Sequence, residues 1–183
     1  ISSFISKKSA GRYELITNST NLGVGNSIRI GYELAVEKSI EIVAVMAGDN
    51  QMDPIYLPNL LDPIIDDQVD YAKGNRLTHK EFYKMPRFRR FGNSLLSLLT
   101  KISTGYWQII DPQNGYTAAT HESLKIILNS KLAGGYGHNS DILTALNIHN
   151  KKVLDVSIPP VYGEEKSGIK IGRYAFRTSW ILF

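Results

Sequence analysis

The chain has 183 residues, 43% apolar and 21% charged, a balance that fits an ordinary globular protein with material for one core. It contains no cysteine, which excludes disulfides and thiolate metal sites, and its net charge of +4 is modest. No segment reaches the roughly 18 apolar residues of a membrane span, and the opening "ISSFISKKSAGRYE" lacks the apolar centre of a signal peptide.

In chain order, "YELITNS" predicts a short strand, and the glycine-bearing "TNLGVGNS" leads into a helix over "IRIGYELAVEKS". "EIVAVMA" is the most β-like run and restores a strand, giving a β-α-β succession that predicts a parallel sheet. "PIYLPNLLDPIID" reads as a helix interrupted by prolines, and "DYAKGNR" as a strand ending in Gly74 and Arg76. "FGNSLLSLLTKIS", "ESLKIILNS" and "SDILTALNIHN" predict helices, and "KVLDVSIPPVY" a late strand stopped by its proline pair. The expected class is α/β: a mainly parallel sheet flanked by helices, in one domain over residues 1–183. The closing "YAFRTSWILF" turns apolar and aromatic, so 174–183 reads as the start of a membrane-proximal segment.

Ligands in open parallel sheets collect outside the carboxyl ends of the strands, and three polar clusters fall at such ends. They are Asp49 with Gln51 and Asp53 in "MAGDNQMDP", Arg76 after "KGN", and Asp111 in "IIDPQNGYTA". Each has a plain structural alternative: a strand-end turn for Asp53-Pro54 and Asp111-Pro112, a surface ion pair for Arg76. Together, acid, base and acid around one crevice suit a magnesium-type cation bound to phosphates, which takes one or two carboxylates and completes its shell with water and phosphate oxygens.

The glycines Gly23, Gly25 and Gly31 do not form a dinucleotide fingerprint, and the K-[ST] pair of a phosphate loop is absent. A tight turn and close packing explain them, although a helix N-terminus near Asn26 could face an anion. "KMPRFRR" sets Lys84, Arg87, Arg89 and Arg90 among Phe82, Tyr83, Phe88 and Phe91. Such a texture suits single-stranded nucleic acid or a membrane surface, with a solvated helix start as the plainer alternative. The rest of the chain is not basic enough for nucleic acid. His79, His121, His138 and His149 share no metal-ligand spacing, and Tyr106 and Trp107, which precede Asp111, could line a pocket there, although aromatics in such positions are more often core.

Six stretches in order, "NLGVGNSIRIGYELA", "VMAGDNQMDP", "YAKGNR", "MPRFRRFGN", "DPQNGYTA" and "PPVYGEEKSGIK", resemble family 2 glycosyltransferases over about residues 15–170. The likeness is strongest to the branch of polyprenyl-phosphate sugar synthases that includes dolichol-phosphate mannosyltransferase. It implies a GT-A type fold, a nucleotide-sugar donor, Mg²⁺ or Mn²⁺, inversion at the anomeric carbon and a polyprenyl phosphate acceptor at the cytoplasmic face of a membrane. By the same resemblance, Asp49 is the metal and donor-diphosphate ligand, followed by Gln51, with Gly25 and Arg76 also on the donor. Asp111 is the catalytic acid near the acceptor; Arg87, Arg89, Arg90, Ser167 and Lys170 engage its phosphate.

The sequence departs from the family pattern in two places. The first acid of the D-x-D is Ala47 here, and nothing before "YELITNS" corresponds to the usual opening strand and acidic turn that hold the base. The chain therefore reads as N-terminally incomplete. A glycosyltransferase using a sugar hydroxyl as acceptor, with Asp111 as base, and a non-catalytic nucleotide-sugar-binding remnant are the competing expectations.

Overall fold

The structure is a computed structural model describing residues 13–80, 87–130 and 138–161, with the backbone alone at 87–93 and 96. Ser167, Lys170 and the segment 174–183 lie outside the described residues. The elements are α1 (Val24–Glu37), β1 (Ile42–Val45), a 3-10 turn (Pro54–Tyr56), α2 (Leu57–Ile65), β2 (Tyr71–Asn75), α3 (Arg87–Thr104), β3 (Thr117–Thr120), α4 (His121–Asn129), α5 (His138–Ile148) and β4 (Val153–Ser157).

The sheet order is β1-β3-β2-β4. β2 and β4 pair in parallel, whereas β3 runs against both β1 and β2. The expected α/β architecture is thus a mixed sheet in which three strands share a direction. Their carboxyl ends meet at one edge, together with the start of β3.

"YELITNS" does not form a strand: Tyr13, Leu15 and Ile16 stay about half exposed, with no strand beside them among the described residues. The helices form where the periodicity placed them; α1, α2 and α4 each bury one stripe, and α5 is buried over most of its circumference. On one face of the sheet, Tyr32, Leu124, Ile127, Leu143 and Leu146 pack around Tyr71 and Ala119. On the other, Leu60 and Ile64 of α2 cover Ala72, Ala118, Tyr116 and Ile158. Burying a side chain the size of Leu60 or Ile64 contributes about 1.5–3 kcal/mol, so these few contacts decide how α2 is seated.

Three helices end without glycine. Ser39, Asp67 and Asn150 take positive φ values of 54°, 54° and 55° after α1, α2 and α5. The following N–H then reaches back over the last turn, Ile40 to the Ala35 carbonyl, Gln68 to Pro63 and Lys151 to Leu146, in Schellman-type stops. Asn and Asp tolerate this geometry through their short polar side chains.

Candidate functional site

Register explains the polarity of the site. Val43, Ala119, Tyr71 and Val153 form one row across the four strands. Side chains two residues along a strand share a face, so the next row on that face is Val45, Thr117, Lys73 and Asp155. Apolar core therefore gives way to polar groups within one pleat, at the edge where the strand ends converge. Lys73 is buried, and its ammonium donates to the carbonyl oxygen of Asp111.

Asp111 is also buried, at 1% side-chain exposure, and Arg76 closes over it. The guanidinium is bidentate: Nε donates to Oδ2 at 2.8 Å and a terminal nitrogen to Oδ1 at 3.1 Å. The Arg76 backbone N–H adds a third bond to Oδ2 at 3.2 Å. Burial alone would push the Asp111 carboxyl up, but the charge and hydrogen bonds of Arg76, helped by Lys73, hold it below its ordinary value. The Arg76 side chain remains 30% exposed at the rim. From the solvent side, the guanidinium is reached before the acid.

Asp49 stands in the loop after β1, fully exposed, with Oδ1 accepting from the Gln51 backbone N–H at 3.0 Å. Asn50, at φ 63°, turns the chain between them. Asp53 is engaged locally, where its Oδ1 accepts from Ile55 N at 2.9 Å and caps the 3-10 turn. Two contacts tie this loop to the Asp111 loop. The Tyr116 hydroxyl donates to the Asp53 carbonyl at 3.3 Å, and a Cβ at Gly115 would lie 3.6 Å from Met52 Cε.

These donors bear on whether a divalent cation fits. Among the described residues, no group of three or more His, Cys, Asp or Glu side chains could hold one. One exposed carboxylate at a strand end still fits Mg²⁺ or Mn²⁺, because such ions accept a single protein carboxylate when phosphate oxygens and water fill the shell. Asp49 is an exposed carboxylate of this kind, and Asp53 in the same loop is another whose Oδ1 is engaged in capping the 3-10 turn.

Asp49 and Arg76 follow the carboxyl ends of β1 and β2, as the strand-end argument expected, whereas Asp111 follows no strand: it lies in the loop that leads into the antiparallel β3, whose start faces the same edge. Gly25 is buried in the first turn of α1, two turns before the buried Tyr32. Arg87, Arg89 and Arg90 begin α3, and their side chains lie outside the described set. Tyr106 does not line an acceptor pocket: it is buried in the core, and its hydroxyl donates to the Lys151 carbonyl at the opposite edge of the sheet. Trp107, at 63% exposure, is outside the core. His121 and His149 bond backbone carbonyls, of Ile40 and Ala145.

Lys73, Asn75 and Asp155 do not stand out in the sequence, since each is inside a strand that otherwise reads as apolar or small. The available signal was a charge in an inward-facing strand position: all five residues of β2 are buried, so Lys73 had to find partners.

The mixed sheet with helices on both faces and an acidic loop at the converging strand ends is an architecture shared with GT-A type glycosyltransferases of known structure. A sequence profile described as "Glycosyl transferase family 2" matches residues 2–126, and the chain belongs to that family. It is 30% identical over 150 residues to a UDP-N-acetylglucosamine–dolichyl-phosphate N-acetylglucosaminyltransferase of Methanococcus voltae, over 81% of this chain and 59% of the relative. An uncharacterized protein of Methanocaldococcus jannaschii is 28% identical over 145 residues, with 79% and 59% covered. The chain thus spans 59% of the length of these curated relatives. Among solved structures, glucosyl-3-phosphoglycerate synthase of Mycobacterium tuberculosis, crystallised with Mn²⁺, UDP and phosphoglyceric acid, superposes with a TM-score of 0.63 at 16% identity. That match covers 85% of this chain and 51% of the synthase. The same synthase has also been crystallised with Mg²⁺ and UDP, and superposes with a TM-score of 0.59 at 18% identity over 85% of this chain and 52% of its own.

Proposed function

We propose that this chain is the catalytic part of an inverting glycosyltransferase that moves a sugar from a nucleotide-diphosphate sugar to a polyprenyl phosphate. The observation that carries this reading is the Arg76–Asp111 fork. With both oxygens of Asp111 engaged by one guanidinium, the acid is arranged to aim a cation rather than to take a proton. A sugar hydroxyl needs a base to become nucleophilic, whereas a phosphate monoester, with a second pKa of about 6, is already largely anionic at neutral pH. The dolichyl-phosphate activity in the name of the Methanococcus relative points the same way.

In the proposed reaction a phosphate oxygen of the acceptor attacks the anomeric carbon, the bond to the donor diphosphate breaks, and the nucleoside diphosphate leaves. Arg76 holds phosphate at the rim, Asp111 and Lys73 fix its direction from below, and Gln51 and Gly25 border the donor. When bound, with Asp49 as its protein carboxylate, Mg²⁺ or Mn²⁺ supplies positive charge to the departing diphosphate. Arg87, Arg89, Arg90, Ser167 and Lys170 complete the grip on the acceptor phosphate.

With a lipid acceptor, the proposed reaction takes place at a membrane surface, which we assign to the cytoplasmic face. Leu95, Leu98 and Ile102 of α3 are each about half exposed at spacings of three and four, an apolar stripe that follows the basic start of the helix. No helix among the described residues is long and apolar enough to cross a membrane.

The test is transfer by the full-length protein in detergent, with UDP-N-acetylglucosamine as first donor and a short polyprenyl phosphate beside a neutral sugar as acceptors. Metal-dependent transfer to the lipid phosphate, weakened in Arg76→Lys and Asp111→Asn, is expected. Preferential use of the neutral sugar would overturn it in favour of a hydroxyl acceptor with Asp111 as base.

A further inference from the structure

Asp155 lies one strand away from the residues assigned above, yet it binds both of the segments that carry them. Its Oδ2 accepts from the backbone N–H of Ile110 at 2.6 Å and of Asp111 at 3.4 Å, holding the loop that presents the acid. The same oxygen accepts from Asn75 Nδ2 at 2.9 Å. Asn75 then uses its Oδ1 to accept from Leu77 N at 2.9 Å and Thr78 N at 3.3 Å, which fixes the turn around Arg76. One oxygen atom on β4 therefore fastens the approach to Asp111 and the departure from Arg76 to a common point.

The second oxygen of this carboxylate is placed differently. Asp155 Oδ1 is buried and accepts no hydrogen bond among the described residues. Asp155 is the register partner of Lys73, whose ammonium bonds the Asp111 carbonyl instead. A largely buried carboxylate of this kind carries a desolvation cost that the hydrogen bonds to Oδ2 and nearby positive charge offset together. With Asp111, Arg76 and Lys73 it makes a set of two anions and two cations beneath the rim. If a substrate phosphate draws the Arg76 guanidinium outward, Lys73 is the remaining cation facing both acids.

We propose that Asp155 is a positioning residue for glycosyl transfer: through Asn75 and the Ile110–Asp111 backbone it sets the relative placement of Arg76 and Asp111, and with Lys73 it holds the charge balance when Arg76 turns to phosphate. The proposal rests on the reading that the Arg76–Asp111 pair serves the transfer step. Two separate functions are assigned to one carboxylate, the pin to Oδ2 and the charge to the whole group. Different substitutions remove them separately.

Asp155→Asn can keep its oxygen on the three donors and set its amide where Oδ1 stood, so the pin survives and the charge is lost. Asp155→Ala removes both. The assay is transfer by the full-length protein to a short polyprenyl phosphate, with kcat, donor and acceptor KM, and melting temperature recorded for each variant. For Asp155→Asn the expected result is a fall in kcat of about tenfold, the equivalent of about 1.4 kcal/mol, with both KM values within about twofold of the parent. Asp155→Ala should lose at least as much kcat and raise acceptor KM as well, and Asp155→Glu should not restore the parent rate because the longer arm displaces the pin. Unchanged kcat in Asp155→Asn and Asp155→Ala, while Arg76→Lys and Asp111→Asn remain impaired, overturns the proposal alone. If Asp155→Ala does not fold, equal kcat in the folded Asp155→Asn and the parent still overturns the charge role. Unimpaired Arg76→Lys and Asp111→Asn would overturn the reading of the site on which it rests.

Discussion

Gly74 and Ile158 leave no room between them for a methyl group: a Cβ on Gly74 would stand 2.4 Å from Ile158 Cδ1 and 2.8 Å from Asn114 Nδ2. Gly74 lies next to Lys73 and two residues before Arg76, so the glycine lets the Asp111 loop and the end of β4 close on the strand that carries the arginine. Gly74→Ala should destabilise the protein by about 1–3 kcal/mol, the usual cost of overpacking, with transfer falling as the Asn114 loop is pushed out. Ile158→Val removes the clashing Cδ1. Denaturant unfolding should therefore show Gly74→Ala/Ile158→Val to be less destabilised than the sum of the two single changes, and strict additivity would contradict the packing argument.

The two acids of the β1 loop should separate in function. Asp49 and Asp53 each accept a backbone N–H two residues ahead, and asparagine can make the same turn. Replacement by Asn therefore removes charge and leaves geometry. We expect Asp49→Asn to abolish metal-dependent donor binding and Asp53→Asn to cost much less, read by calorimetry of the full-length protein with and without Mn²⁺. Equal losses would show the ligand to be misplaced.

Removing Lys73 should give the site a pH dependence of stability with an unusual sign. Burial pushes the Lys73 ammonium down, against the opposing pull of Asp111 and Asp155. Burial likewise pushes the Asp155 carboxyl up, in spite of Lys73 and the two backbone N–H groups. Lys73→Met leaves the two acids short of a cation, and a broken buried network of this kind costs about 3 kcal/mol at neutral pH. Without Lys73, Asp155 should titrate still higher, so its folded pKa exceeds the unfolded value of about 4 and protonation favours the folded state. Stability of Lys73→Met should accordingly recover as pH falls through the Asp155 value. It should be lost again only in stronger acid, where Asp111, held low by Arg76, gains its proton. Thermal melts across that range, with Lys73→Met/Asp155→Asn as the variant in which the recovery disappears, check the sign.

The parts of the fold that the sequence revealed are those with strong local periodicity. "EIVAV" is a strand, and the stripes of α2, α4 and α5 are helical, because apolar spacing and burial agree there. β3 was not visible: "TAAT" is four residues long and half alanine, with little strand preference of its own, and it exists because β1 and β2 both pair with it. The reverse holds for "YELITNS", which has strand chemistry and no strand beside it among the described residues. At the site, Asp49 and Arg76 could be placed at strand ends from the alternation alone, whereas Asp111 comes to the same edge only because β3 runs antiparallel and begins there. That Arg76 and Asp111 form one bidentate pair, and that Asp155 pins both, depends on strand order and register, which a single sequence does not encode locally.

The last prediction concerns the arginines that open α3. Arg87, Arg89 and Arg90 occupy the first turn of an 18-residue helix, where the unpaired backbone N–H groups already favour an anion. An arginine fork gives bidentate, charge-assisted hydrogen bonds to phosphate that lysine cannot reproduce, since lysine offers a point charge on a flexible stem. If the acceptor is a lipid phosphate, Arg87→Lys or Arg90→Lys keeps the charge and loses the geometry. We expect acceptor-dependent transfer to fall about tenfold or more, equivalent to about 1.4 kcal/mol and near the lower range for a hydrogen bond to a charged group. Donor binding should stay within about twofold, because the proposed donor site is on the Asp49 side. Flotation with anionic liposomes separates this role from simple membrane attraction: surface binding depends on net charge and should be equal in the parent and the lysine variants. Unchanged lipid-phosphate kinetics in both variants would remove these arginines from the acceptor site and leave Arg76 as the residue that grips the phosphate.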